Sequence, residues 1–389
     1  MADSLETMAG FTETRPVRRR PRGEQQRMSI LGAQTPNAPR FDDGARCYDA
    51  LLLLSFGGPE GPDDVMPFLE NVTRGRNVPR ERLLEVAEHY HHFGGVSPIN
   101  AQNRALIAAI EADLAAHGID LPVYFGNRNW QPLVADTIRN MREDGVRRAL
   151  VFATSAYSSY SGCRQYREDV ISALEAVGGG IEFDKIRVFY NHPGFVGPMV
   201  ERLREALASF PKDRRGEVEV VFTAHSIPIA MARGCAYEAQ LRDASRLVAA
   251  GAGVGRWRLA YQSRSGPPSV PWLEPDILGE LDALHAIGRN DVVVVPIGFI
   301  SDHLEVLFDL DEEAAHRAGE LGMMMVRAGT VGTHPRFVAM VRELIQERMA
   351  EHAERLALGH RGPNHDVCPL TCCLSGATRP PEARQPAAV

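Results

Sequence analysis

The sequence predicts an α/β protein built as two Rossmann-like lobes, each a doubly wound parallel sheet, with the active-site cleft between them. Two observations carry that prediction. From residue 47 onward, short runs that are apolar throughout alternate with amphipathic stretches, and strands buried on both faces read in that continuous way. The alternation comes in two consecutive sets of several β-α units, the second beginning near residue 181. In such folds ligands sit beyond the carboxyl ends of the strands, and chemistry is expected there.

The first set opens with "YDALLLLSF" (48–56), an apolar strand that ends in glycine and proline. Helical patterns follow in "DDVMPFLENV" (63–72), "RERLLEVAEHY" (80–90) and "NAQNRALIAAIEADLAAHG" (100–118), the last closed by glycine. "LPVYFGNRNW" (121–130) is a strand, "PLVADTIRNMREDG" (132–145) a helix and "RRALVFATS" (147–155) a strand. In the second set "KIRVFYN" (185–191), "EVEVVFTAHS" (217–226), "RWRLAYQS" (256–263) and "DVVVVPIGF" (291–299) are expected as strands. Helices at 195–210, 237–253 and 276–288 separate them. The domain boundaries follow: a basic N-terminal extension over 1–46, one lobe over 47–180, a second over 181–358 and a cysteine-bearing tail over 359–389. The extension contains "TRPVRRRPRGEQQR", without hydrophobic period, and is expected to be disordered.

A net charge of −7 and 44% hydrophobic residues suit an ordinary globular protein, and the mild acidity argues against nucleic acid as a partner. No run approaches the roughly 18 apolar residues of a transmembrane segment, and no apolar core of a secretory signal is seen. A soluble cytoplasmic monomer is expected. Structural disulfides are uncommon there, so the six cysteines are read as thiols. Three of them, Cys368, Cys372 and Cys373, fall within "DVCPLTCC", which points to metal ligation or redox chemistry. Cys47 and Cys235 are expected to be ordinary thiols.

Several strand ends carry unusual residues. "VVFTAHSIP" delivers His225 directly off an apolar strand. "VVVVPIGFISDHLEVLFDLDEEA" ends its strand at Phe299, with Ser301 or Asp302 placed to cap the following helix. On that helix Glu305, Asp309 and Glu313 fall at i, i+4 and i+8, with no Lys or Arg at the compensating positions. Like charges so spaced repel by a few tenths of a kcal/mol per pair, about 0.2–0.5. A carboxylate row beside a histidine suits a divalent cation or proton acceptance. Gly57, Gly58 and Gly61 make a tight strand-to-helix turn, without the Lys-Ser/Thr ending of a phosphate loop. "HFGGVSPIN" places Ser97 near a helix start. "TSAYSSYSGCRQYRED" brings three tyrosines, Cys163, Arg164 and Arg167, and "YQSRSGPPSVPW" adds Ser263, Arg264 and Trp272. Flat rings, hydroxyls and arginines are the lining expected for a large planar ligand with carboxylates at its edge.

"HFGGVSPIN", "TAHSIP" and "PIGFISDHLEVLFDLDEEA", in this order over roughly residues 48–350, resemble the ferrochelatase family, enzymes that insert Fe2+ into a porphyrin. "TSAYSSYSGCRQYRED" resembles the actinobacterial branch, which makes coproheme from coproporphyrin III rather than haem from protoporphyrin IX. The resemblance implies two Rossmann-like lobes holding the porphyrin, with His225 and Glu305 as the catalytic, metal-handling pair and Asp302 and His303 in the adjoining turn. It makes Asp309 and Glu313 a relay or outer metal station. It places Phe56 on the opposite porphyrin face, where better-known Gram-positive relatives carry a tyrosine, so axial ligation of iron from that side is not expected. Ser97, Ser263 and the Gln165–Tyr166 region match positions at the porphyrin edge. Two propionate-gripping arginines of those relatives fall at Thr73 and His89, with Arg74 and Arg76 as neighbouring substitutes. Members with one internal and three C-terminal cysteines hold a [2Fe–2S] cluster, which implies Cys163, Cys368, Cys372 and Cys373 as its ligands. The same four sulfurs also suit zinc. The alternatives are a protoporphyrin IX ferrochelatase, a sirohydrochlorin cobalt or nickel chelatase, and a non-catalytic tetrapyrrole or metal carrier.

Overall fold

The computed structural model describes residues 40–75, 78–266 and 269–376. Eight parallel strands form two four-stranded sheets. The first contains β1 (Ala50–Ser55), β2 (Val123–Asn127), β3 (Arg148–Ala153) and β4 (Glu182–Lys185), in the order β2-β1-β3-β4. The second contains β5 (Glu219–His225), β6 (Arg258–Gln262), β7 (Asp291–Val295) and β8 (Met324–Arg327), in the order β6-β5-β7-β8. The two orders are the same pattern repeated. In each sheet the connections leave in opposite directions from the first and third strands, which opens a crevice at their carboxyl ends.

Why these strands are central follows from their side chains. All six residues of β1 and all five of β7 are buried, so both sheet faces are covered and no polar alternation survives. Register pairs Leu53 with Phe125 and Phe152 in the first sheet, and Phe222 with Leu259 and Val295 in the second. The largest apolar core runs through both sheets. Leu51, Phe152, Phe189, Phe195, Val220, Phe222, Val295 and Phe337 belong to it. Its main helices are Ile99–Ala116, Pro193–Ala208, Tyr237–Ala252 and Pro335–Met349. No helix among the described residues is long and apolar enough to cross a membrane.

Several expectations are corrected. "KIRVFYN" is not a strand; the strand is Glu182–Lys185, and it pairs with β3. The first sheet therefore extends past the boundary drawn at 180. Residues 186–191 are buried as irregular chain. Neither Ser301 nor Asp302 caps the helix after β7. His303 stands at its N-cap without a side-chain bond, and the Asp302 carboxylate turns instead to Arg327 at 3.0 Å. That helix is α-helical at Leu304–Val306, widens to a π-helix over Leu307–Ala314 and returns to α-helix at Ala315–Glu320. The N-terminal extension over 1–39 lies outside the described residues. Residues 40–46 do not belong with a disordered leader: Arg40 pairs with Val367 in an antiparallel bridge, and Asp42 and Asp43 bind the Arg355 side chain through a carbonyl and a carboxylate.

Candidate active site

His225 is the last residue of β5, and its ring is held by backbone. Nδ1 bonds the carbonyl oxygen of Ser226. A carbonyl can only accept, so Nδ1 carries a proton and Nε2 is the ring nitrogen left facing the site. The Tyr237 hydroxyl donates to the His225 carbonyl at 3.0 Å, fixing the strand end from the opposite side. Nε2 lies 3.9 Å from Glu305 Oε2, while His303 Nδ1 lies 4.0 Å from the same oxygen. One carboxylate thus stands between two imidazoles at the start of a helix. Burial holds the His303 ring below the ordinary histidine range, against the opposing pull of Glu305.

Behind Glu305, Asp309 accepts from the Ser263 hydroxyl and from Gln262 Nε2, the latter at 3.4 Å. Burial raises its pKa to about 7; Glu305 and Glu313 push the same way, and the Ser263 bond resists. Glu313 is also raised by burial, with His89 opposing. The acids of the expected row differ in setting: Glu305 is exposed at the opening, and Asp309 is half-buried with its pKa raised to about 7. Ser263 holds φ of +60°, a strained position for a side chain, and its hydroxyl is committed to Asp309.

The first sheet faces this row with Phe56, exposed directly after β1. Gly57 follows at φ +82°, where an added Cβ would lie 2.9 Å from Asn127 Cβ, so the turn requires glycine. Phe56 stands edge-on to Phe68 at 6.3 Å, and the Arg128 guanidinium lies 5.8 Å from its ring. Arg128 also covers the Tyr166 ring at 4.6 Å and pairs with Asp169. Tyr166 and Ser97 are both buried, Ser97 packing where Gly58 has no Cβ. Of the four proposed porphyrin contacts, Phe56 alone is open. Thr73 bonds the Leu69 carbonyl, Arg74 is exposed, and Arg76 lies outside the described residues.

Contacts between the lobes were not foreseen from sequence. The His89 ring stacks on Phe308 at 4.0 Å, His92 Nε2 meets Glu312 at 2.7 Å, and the Gln102 amide bonds Asp302 backbone N–H and C=O at 2.9 and 2.8 Å. The only sequence signal was a histidine-rich helix end, "EHYHH".

The four predicted cysteines converge. Cys163 sits in a π-turn, Tyr160–Arg164, capped by the Ser159 hydroxyl accepting from Gly162 N. The tail folds over it so that Cys163, Cys368, Cys372 and Cys373 line one small cavity with Arg164, Arg167 and Lys185. Cys372 and Cys373 sulfurs are 3.4 Å apart. Contacts with Cys368 and Cys373 hold the Cys372 thiol well below its usual range, and a contact with Cys163 lowers Cys368. Arg164 fastens the loop by donating to the carbonyls of Leu370 (2.6 Å) and Cys372 (2.9 Å). Four sulfurs and a cationic surround fit a [2Fe–2S] cluster. His365, missed from sequence although "HDVC" carries a ligand-like spacing, places Nε2 4.0 Å from Cys372 Sγ. With Cys368 and Cys372 it forms the one group of metal-ligand type found among the described residues.

A family model described as ferrochelatase matches residues 48–349. A protein of Rhodopirellula baltica named ferrochelatase is 58% identical over 86% of this chain and 96% of its own. Proteins named coproporphyrin III ferrochelatase are similarly close: that of Streptomyces griseus is 55% identical over 86% of this chain and 96% of its own, and that of Nocardia farcinica 53% identical over 87% and 98%.

Proposed function

The chain belongs to the ferrochelatase family, and from that membership we propose that it inserts Fe2+ into coproporphyrin III, giving coproheme and releasing two protons. The carrying observation is the Glu305 carboxylate held between the His225 and His303 imidazoles. Fe2+ is a substrate here and reaches the pyrrole nitrogens from that side. His225 takes a pyrrole proton at Nε2, which its bond to Ser226 leaves free. Glu305 guides the cation and shares the second proton. Asp309, near neutrality, passes protons on towards Glu313 and solvent. Phe56 supports the opposite porphyrin face and offers no atom that ligates iron.

The lobes over 47–180, extended to include β4, and 181–358 hold the porphyrin between them, and the protein works as a cytoplasmic monomer. Cys163, Cys368, Cys372 and Cys373 hold a [2Fe–2S] cluster, which supplies a one-electron couple when bound. Insertion itself involves no change of oxidation state.

The test is an anaerobic assay with Fe2+ and each porphyrin, following the Soret band. The expected outcome is a kcat/KM at least tenfold higher for coproporphyrin III, because each additional charge-assisted propionate contact is worth about 1.5–3 kcal/mol. A preference for protoporphyrin IX would overturn the substrate assignment. Porphyrin binding without insertion would make the protein a carrier.

A further inference from the structure

The chain has 43 basic residues, yet only two, Lys185 and Lys212, are lysines. Lys185 ends β4 and points its ammonium into the thiol cavity. Its hydrogen bond goes to the Ile186 carbonyl at 2.8 Å. Among the described residues no carboxylate lies within ion-pair distance of Lys185 or of Arg167. Other buried or half-buried cations here are paired: Arg187 with Glu347, Arg355 with Asp366, Arg327 with Asp302. Half-burying a cation without a counter-charge is costly. The groups that face these two are sulfurs, and Cys163, Cys368 and Cys373 raise the Lys185 pKa against the effect of its burial.

We propose that Arg164, Arg167 and Lys185 form a cationic collar for the iron–sulfur group, in which Lys185 and Arg167 set its reduction potential and Arg164 fastens the tail loop. The proposal rests on the reading of the four cysteines as [2Fe–2S] ligands. With four thiolates the oxidised cluster carries a charge of about −2. It takes one electron from an external reductant and becomes about −3, with no bond made or broken and no proton moved. A fixed positive charge stabilises the more negative state more strongly, and in a water-poor cavity solvent and salt screen that difference weakly. A compact ammonium suits this role. A guanidinium's fork suits the planar carbonyl contacts that Arg164 makes.

The experiment is a dye-mediated dithionite titration of the purified full chain, read by visible absorption and by electron paramagnetic resonance of the reduced state. Lys185→Met should lower the reduced-to-oxidised ratio at a given potential by at least tenfold, a midpoint about 59 mV more negative for a one-electron couple. Lys185→Arg should restore it, and Arg167→Gln should shift it in the same sense. Arg164→Ala should instead speed cluster loss under air. Full cluster absorption with an unchanged midpoint in both Lys185→Met and Arg167→Gln overturns the collar while leaving the ligand assignment standing. If Lys185→Met does not fold, Arg167→Gln decides alone. A full cluster in Cys163→Ser, or zinc in place of iron in the parent protein, overturns both.

Discussion

At His225 the useful fact is which nitrogen is free. The Ser226 carbonyl ties up Nδ1, and the Tyr237 hydroxyl pins the backbone, so the ring has one orientation and one basic atom. His225→Ala should lower kcat by about 10²–10⁴-fold, with porphyrin binding measured by fluorescence quenching nearly unchanged; near-normal turnover would remove His225 from the mechanism. Asp309 is expected to show itself through pH. Its folded pKa of about 7 lies above the ordinary aspartate value of 3.8. Between those values the folded state holds a proton that the unfolded chain has released, so this group lowers stability progressively as pH rises from about 4 to 7. Asp309→Asn should therefore raise the melting temperature most at and above pH 7, and hardly at all near pH 4, while slowing turnover. Equal shifts at both pH values would contradict the assigned pKa.

Among the elements, the crossing of the loop after β7 over the end of β5 matters most for the site. Gly298 N donates to the Thr223 carbonyl at 3.0 Å, and a Cβ at Gly298 would lie 2.6 Å from Ala224 Cβ and 2.7 Å from its Cα. Ala224 precedes His225. Gly298→Ala should cost about 1–3 kcal/mol through overpacking and reduce kcat by moving the histidine; unchanged melting and turnover would show that the crossing is slack. The sequence made the central strands legible, because β1, β5 and β7 are apolar runs that only two covered faces explain. It concealed β4 and β8, four residues each, whose "EFDK" and "MMVR" carry neither length nor clear alternation. The helices Gln165–Ala176 and Pro335–Met349 were also passed over, the first because its start is a hydroxyl-rich turn. The π-helix could not be read, since acids spaced four residues apart fit an α-helix equally well. His225 and Glu305 were legible as motif residues. The bond from Ser263 to Asp309 joins residues 46 apart, and no local pattern announces it.

For the molecule as a whole, the tail is tied down by charge as well as by sulfur. Arg348, nearly inaccessible, meets Asp42 (3.1 Å), Asp184 (3.5 Å) and Asp366 (3.6 Å), which belong to the N-terminal segment, β4 and the tail. Arg355 binds Asp43 and Asp366 beside it. Removing one partner of a buried ionic group leaves the others uncompensated, so Arg348→Ala should cost about 3–5 kcal/mol. Chemical denaturation of the two proteins reads this directly; a loss below about 1 kcal/mol would mean that water already screens the group.

The separation of Cys163 from its three sulfur partners has a consequence for how the protein is made. A nascent chain elongating at about 5–20 residues per second presents Cys163 roughly 10–40 s before Cys368 emerges, and domains fold in that order. During that interval the body can fold with Cys163 beside Arg164, Arg167 and Lys185 and nothing above it. The four sulfurs can therefore be brought together only at the very end of synthesis, when the tail closes over the cavity.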